Sequence, residues 1–242
     1  MHKKHIVWYN AKVIFQNNKR GIKMAIDFSK ILGVIFDMDG VLVDSEAVMA
    51  NASVMGMADY KIYAKPEDFV PYFGTNEETY FGSVVRMHGG IYTKEIAEHI
   101  YDIYCDIAPS QIITFPKVPE TLSELHKRGY KTAIASSSIK RKLDVNITSA
   151  KIDLSCLDAV VCGSDVKNRK PDPEIFLTAA AKLGLKPENC LVAEDAISGV
   201  KAAKAAGMYC FGVTTTFDKA FFKELGADLA GESITDILGF LP

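Results

Sequence analysis

The sequence predicts an α/β fold, namely a doubly wound, Rossmann-like parallel sheet with an α-helical cap domain inserted after its first strand. From residue 117 onward, short uninterrupted apolar segments alternate with segments of helical spacing. This is the pattern of strands that crossover helices bury on both faces. The first apolar segment, residues 31–36, is instead followed by residues 46–115, which show helical spacing and no clear strand.

Proline and glycine mark the ends of these segments. The predicted core strands are residues 31–36, 131–135, 158–162, 190–193 and 208–213. The predicted core helices are residues 119–128, 173–183 and 199–206, and each is followed by a glycine, as helices commonly are. The sequence therefore predicts a core of residues 31–45 and 116–242 and a helical cap of residues 46–115.

Residues 1–30 differ in composition from the rest, because seven lysine or arginine side chains accompany a single acid, Asp27. A basic targeting or surface-binding arm has this composition. So does a poorly constrained extension, or one that exists because the true start is Met24. We treat residues 1–30 as a basic extension outside the core.

Charge and cysteine content narrow the partners. The net charge of -2 gives no reason to expect nucleic acid, and no run of about 18 apolar residues predicts a membrane span. The five cysteines form no CxxC pair and no zinc spacing, which favours a reduced, cytoplasmic protein. We expect a monomer without membrane or nucleic-acid partners.

Four short segments carry candidate catalytic groups, each at or just after the carboxyl end of a predicted strand, where open parallel sheets bind ligands. The first contains Asp37, Asp39 and Gly40. One carboxylate of such a pair can attack while the other moves a proton, and a divalent cation would offset their repulsion. Taken alone, the segment is equally compatible with an acidic turn.

The other three segments offer groups for a phosphate and a metal. Ser136 and Ser137 can present hydroxyl and N–H groups to a phosphate, although a helix cap has the same pattern. Lys170 can place a positive charge over a phosphate, although a solvated loop lysine is the alternative. Glu194 and Asp195 suit Mg²⁺, or equally a helix N-terminus that favours negative charge.

Residues 31 to about 230 resemble the haloacid dehalogenase (HAD) superfamily. The segments DMDGVLVDSE, ASSS, KPDP and AEDAISGV are similar to its four motifs and occur in the same order. The helical insert resembles the C1 cap of its subfamily I. Within the superfamily, the chain is most similar to the β-phosphoglucomutase and sugar-phosphate phosphatase branch, which implies a small phosphorylated metabolite as substrate.

Carried over by position, the resemblance implies a Mg²⁺-dependent phosphohydrolase with Asp37 as the nucleophile and an aspartyl-phosphate intermediate. Asp39 would be the general acid and then the general base; haloacid dehalogenases themselves lack an acid there. The implied Mg²⁺ ligands are Asp37, the Asp39 carbonyl, Asp195 and, beside them, Glu194. The implied phosphate-binding groups are Ser136, Ser137 and Lys170.

Two cap positions favour a phosphatase over a mutase. β-Phosphoglucomutases carry a histidine where this chain has Met49, and an arginine for the distal phosphate where it has Glu77, an acid that would repel a second phosphate. A mutase is the alternative. A non-catalytic interaction module is a more distant one, because the motif acids and Lys170 are all present.

The cap also supplies candidate substrate contacts. These residues are Ser45, Thr75, Asn76 and Glu77. The last three have equally the pattern of a helix N-cap followed by an acidic first turn.

Overall fold

The computed structural model describes residues 13–17 and 23–242, with side chains from residue 27 onward. The strands are β1 (Val13–Asn17), β2 (Lys23–Asp27), β3 (Gly33–Phe36), β4 (Val43–Asp44), β5 (Ile113–Thr114), β6 (Lys131–Ala135), β7 (Ala159–Val161), β8 (Cys190–Glu194), β9 (Tyr209–Val213) and β10 (Leu229–Gly231). The helices are α1 (Glu46–Asp59), α2 (Glu77–Met87), α3 (Lys94–Gln111), α4 (Val118–Lys127), α5 (Lys140–Ser149), α6 (Glu174–Leu183), α7 (Ile197–Ala205) and α8 (Lys219–Leu225). The predicted α/β fold class is confirmed, and the predicted core elements agree to within two residues. The sequence analysis does not predict α8 or β10.

The main sheet has six parallel strands in the order β10-β9-β8-β3-β6-β7. The chain runs outward from β3 through β6 and β7, then returns to β8 and runs outward in the other direction. The strand order therefore reverses beside β3. Open α/β sheets bind their ligands in the crevice at such a reversal, outside the carboxyl ends of the strands.

Alternate side chains of β3 enter two different apolar clusters, because successive side chains of a strand point to opposite faces. Val34 and Phe36 pack with residues of α4 and α5, whereas Ile35 packs with residues of α6 and α7. All three side chains are fully buried. Helices on both faces explain why the strand sequence is apolar without alternation.

Helices α1, α2 and α3 share a third apolar cluster of their own. They lie between β4 and β5, which pair antiparallel through Val43 and Thr114. Gly56 allows α1 to approach α3 closely, since a Cβ at this position would lie 2.8 Å from Cγ1 of Ile100. The separate cluster supports the proposed division between a cap of residues 46–115 and the rest of the chain.

The basic extension proposed for residues 1–30 lies mostly outside the described residues. Its described parts include the antiparallel pair β1 and β2. Phe28 is buried in the core, so packing begins earlier than the predicted residue 31. The five cysteines, all in the described part, form no disulfide. Within the same part, every helix is too short or too polar to cross a membrane.

Candidate active site

The four predicted segments meet at the carboxyl edge of the sheet, beside the reversal of strand order. A cavity of about 240 Å³ lies between this edge and residues of α1, α2 and α3. Its lining includes every predicted site residue: Asp37, Asp39, Ser45, Thr75, Asn76, Glu77, Ser136, Ser137, Lys170, Glu194 and Asp195. The fold thus brings together residues that lie up to 158 positions apart in the chain (195 − 37).

Asp37 directly follows the central strand β3 and is held in the sheet, because its N–H donates to the carbonyl of Ala193 (3.0 Å). Lys170 Nζ donates to Asp37 Oδ1 at 2.6 Å. Burial raises the pKa of Asp37 to about 7; the Lys170 charge opposes this rise, while the charges of Glu194 and Asp39 add to it. Asp37 is therefore a buried carboxylate at the cavity wall, with a lysine as its charge partner.

Lys170 lies in the loop between β7 and α6, and its side chain is 6% exposed. Its Nζ bridges Asp37 and Oε1 of Glu194 (2.7 Å) and lies 4.7 Å from the ring centroid of Phe176. Burial would lower the pKa of Lys170, but the two carboxylates raise it above its ordinary value. Glu174 ties this loop to α6 by accepting hydrogen bonds from two backbone N–H groups. The lysine is thus permanently charged at a fixed point.

Glu194 is the partner of Lys170, and the structure does not support it as a metal ligand. Its Oε1 accepts from Lys170 (2.7 Å) and its Oε2 accepts from the N–H of Ala196 (2.7 Å). The side chain occupies the space beside Gly199, where an added Cβ would lie 1.6 Å from Oε1. Both carboxylate oxygens are engaged, so this part of the predicted metal set is corrected.

Asp195 lies against the turn that follows Asp37. A Cβ at Gly40 would lie only 2.2 Å from Oδ2 of Asp195, and Gly40 has a φ of +83° that favours glycine. Thr216, which the sequence analysis does not identify, donates to the same oxygen (2.7 Å). Burial raises the pKa of Asp195 well above its ordinary value, and the charges of Glu194 and Asp37 raise it further.

The acids present fit a hard divalent cation. In residues 27–242, no three His, Cys, Asp or Glu side chains converge as a metal site made of protein alone. Asp37 and Asp195 are nevertheless buried and repel each other, so a cation between them would stabilise both charges. Mg²⁺ is commonly bound by one or two carboxylates together with water and substrate oxygens. The donor set therefore suits Mg²⁺ that is held partly by a phosphorylated substrate.

Asp39 has a separate set of partners. Its Oδ1 accepts hydrogen bonds from Ser45 Oγ, Lys142 Nζ (2.7 Å) and Asn146 Nδ2 (3.0 Å), and its Oδ2 accepts from Ser138 Oγ (2.9 Å). Burial would raise the pKa of Asp39, but the Lys142 charge and these hydrogen bonds lower it. Ser45, predicted as a substrate contact, is buried and binds Asp39 instead.

The sequence analysis does not identify Lys142 and Asn146. They lie four positions apart on α5 and therefore share one face of the helix. Lys142 is 8% exposed, whereas the side chain of Lys140 is 71% exposed. The sequence shows three consecutive basic residues at 140–142 and nothing that distinguishes the buried one. Arg169, which lines the cavity beside Lys170, has no motif signal of its own either.

The serine segment follows β6 and forms part of the cavity wall. Ser136 is buried; its N–H donates to the carbonyl of Val161 (3.0 Å), and its Oγ accepts from the N–H of Ser138 (3.1 Å). The hydroxyl proton of Ser136 is left to donate into the cavity. Ser137 also lines the cavity, and a Cβ at Gly163 would lie 2.3 Å from its carbonyl oxygen. Both predicted serines are thus available to an anion.

The three other cap candidates cap and brace α2 as well as lining the cavity. Asn76 Oδ1 accepts from the N–H of Thr79 (3.0 Å), which is an N-cap. Thr75 Oγ1 donates to a backbone carbonyl (2.6 Å), and Glu77 accepts from the hydroxyl of Tyr92 (3.0 Å). The helix-capping interpretation is therefore correct, and substrate contact by these residues stays a prediction.

A family model described as haloacid dehalogenase-like hydrolase matches residues 34–213. The chain is 38% identical, over 88% of its length, to Protein SUPPRESSOR OF QUENCHING 1, chloroplastic, of Arabidopsis thaliana, but it spans only 21% of that protein. It is 28% identical to a phosphoglycolate phosphatase of Salmonella typhimurium, over 86% of this chain and 91% of that one.

The fold is also similar to that of a putative β-phosphoglucomutase from Thermotoga maritima. The TM-score is 0.72 and the identity 29%, with 86% of this chain and 99% of the other covered. The similarity therefore includes both the sheet and the inserted helices.

Proposed function

Since this chain belongs to the haloacid dehalogenase-like hydrolase family, we propose that it is a Mg²⁺-dependent phosphatase that hydrolyses a small phosphomonoester, with sugar phosphates as the favoured class. The observation that carries the proposal is the buried Asp37 carboxylate, paired with Lys170 and lying beside Asp195 and Asp39 at one end of the cavity.

In the proposed reaction, a carboxylate oxygen of Asp37 attacks phosphorus while the P–O bond to the alcohol breaks. Asp39 gives its proton to the leaving alcohol. Asp39 then takes a proton from water, whose oxygen attacks the aspartyl-phosphate and releases phosphate and Asp37. Lys170, Ser136 and Ser137 would hold the phosphoryl oxygens, because this chemistry depends mainly on positioning and on neutralising the oxygens' charge.

The metal would be held by Asp37, Asp195 and the backbone carbonyl of Asp39. When bound, Mg²⁺ would withdraw charge from the phosphoryl oxygens. Glu194 would contribute indirectly by keeping Lys170 beside Asp37.

The size and similarity of the site support a small phosphorylated metabolite. A cavity of about 240 Å³ lies below the usual range for drug-sized ligands. Names of similar proteins include a phosphoglycolate phosphatase and a putative β-phosphoglucomutase. The similar Arabidopsis protein is chloroplastic by name, so a cytoplasmic location for this chain stays a prediction.

Transfer to water is favoured over transfer to a second sugar. Met49 lines the cavity at the position of the mutase histidine and has no proton to exchange. Glu77 also lines the cavity, and Glu46 adds a second acid on the same side. Two carboxylates would repel the distal phosphate of a bisphosphate. A mutase remains the alternative because of the similarity to the Thermotoga protein.

The direct test is release of phosphate from p-nitrophenyl phosphate and from a panel of sugar phosphates, with Mg²⁺ and with EDTA. We expect Mg²⁺-dependent release that EDTA abolishes. Absence of release from every ester would contradict the proposal and favour a non-catalytic module. Isomerisation of β-glucose 1-phosphate primed by a bisphosphate would instead identify a mutase.

A further inference from the structure

A buried lysine outside the four motifs contacts the proposed acid–base residue. Lys142 Nζ lies 2.7 Å from Asp39 Oδ1 and 3.1 Å from Ser138 Oγ, and it lies 5.5 Å from the ring centroid of Tyr104. The Lys142 side chain is only 10% exposed. A buried ammonium group is tolerated when it is paired and hydrogen-bonded, and Asp39 is the carboxylate that pairs with it.

The second donor on α5 is also fixed. Asn146 Nδ2 donates to Asp39 Oδ1 (3.0 Å), while Asn146 Oδ1 accepts from the Tyr104 hydroxyl (2.6 Å). Asn146 and Tyr104 are fully buried. Asp39 itself lies on a turn, but two of its donors, Lys142 and Asn146, lie on a helix that packs against α3. Groups on packed helices are held more precisely than groups on loops.

The neighbouring basic residues of the same helix are directed elsewhere. Lys140 pairs with Asp144 on the helix surface (2.7 Å). Arg141 binds the carboxylates of Glu98 and Asp102 on α3. Of these three consecutive basic side chains, Lys142 alone lines the cavity.

We propose that Lys142 is a positioning residue that holds the Asp39 carboxylate where it can exchange a proton with the leaving alcohol and then with water. The inference rests on the proposed phosphatase function. An acid or base must lie within hydrogen-bonding distance of the proton it transfers, and small displacements of reacting groups slow catalysis strongly. Lys142 acts through Asp39 and does not itself need to touch the substrate.

The leaving group provides a test that a general loss of structure would not mimic. p-Nitrophenol leaves as a stable anion and needs little protonation, whereas a sugar alcohol needs a proton from Asp39. Lys142→Met should lower kcat about 100-fold for the best sugar-phosphate substrate and less than about tenfold for p-nitrophenyl phosphate. KM for both esters should stay within about twofold of wild type. Lys140→Met, the same change two positions earlier, should leave both activities unchanged.

A double-mutant cycle tests whether the lysine acts through Asp39. In an Asp39→Asn background, Lys142→Met should cause no further loss of kcat, because the group that it positions is already gone. The double variant lacks both charges of the pair, so it also guards against misfolding of the single variant, in which Asp39 would be left without its partner. Circular dichroism should show the same fold in all variants.

Two results would overturn the inference. One is an equal loss on both esters in Lys142→Met, and the other is a further loss of about tenfold or more when Lys142→Met is added to Asp39→Asn. Failure of the proposed function is distinguishable, because the wild-type protein would then release phosphate from neither ester.

Discussion

Lys170 Nζ lies 2.6 Å from Asp37 Oδ1, although the two residues are 133 positions apart in the chain. The same ammonium group lies 2.7 Å from Glu194 Oε1. One cation thus compensates two buried acids, while Asp195 adds a third carboxylate nearby. This excess of negative charge is what a divalent cation would neutralise.

The two motif acids should differ in what their loss does. Asp37→Asn should abolish turnover, because an amide cannot form the proposed acyl phosphate. Asp39→Asn should lower kcat by about 10²–10⁴-fold, the usual contribution of a general acid or base. Steady-state phosphate release on the best substrate measures both, with thermal unfolding as the check on folding. Near-normal turnover in Asp37→Asn protein would exclude the mechanism.

Removal of the Lys170 charge should impair both stability and activity. Lys170→Met leaves Asp37 and Glu194 buried without their shared cation, so we expect the free energy of unfolding to fall by about 3–5 kcal/mol. Urea denaturation followed by circular dichroism measures the change. Lys201→Met, at an exposed position of α7, is the control and should change it by less than about 0.5 kcal/mol. Equal stability of the two variants would argue against the observed pairing.

Mg²⁺ should stabilise the protein even without substrate. A metal at 100 times its Kd that binds only the folded state adds about 2.7 kcal/mol to the free energy of unfolding. Differential scanning calorimetry should therefore show a higher Tm with MgCl₂ than with KCl of equal ionic strength. Asp195→Asn should abolish this increment while raising the metal-free Tm, because its repulsion with Asp37 disappears. An undiminished Mg²⁺ effect in that variant would place the metal elsewhere.

Gly199 should be intolerant of even a methyl group. Since a Cβ there would lie 1.6 Å from Glu194 Oε1, Gly199→Ala must displace Glu194 from Lys170 or shift α7. We expect a loss of about 1–3 kcal/mol in the free energy of unfolding, as in other overpacked cores, together with a lower kcat. Gly239→Ala, where no atom lies within 4 Å of the added group, is the matched control. Wild-type behaviour of Gly199→Ala would contradict the placement of Glu194.

Much of the core could be predicted because its signals are local. Residues 131–135 and 190–193 are short apolar runs between turn-forming residues, and both are strands of the parallel sheet. The segment that contains α8 and β10 escaped prediction, since β10 has only three residues and its strand character depends on pairing with β9. Pairing across a sheet involves distant residues, which a local pattern does not record.

The sequence by itself determined the fold class and the position of the four motif segments, because parallel strands must place their carboxyl ends at one edge of the sheet. It could not determine the partners of each side chain there. Glu194 pairs with Lys170 and not with a metal because Gly199 leaves room for it in that direction. Lys142 reaches Asp39, while Lys140 and Arg141 do not, because the packing of α5 turns one face of the helix toward the cavity. Only the tertiary structure decides which face that is, since helix orientation depends on contacts between elements that are far apart in the chain.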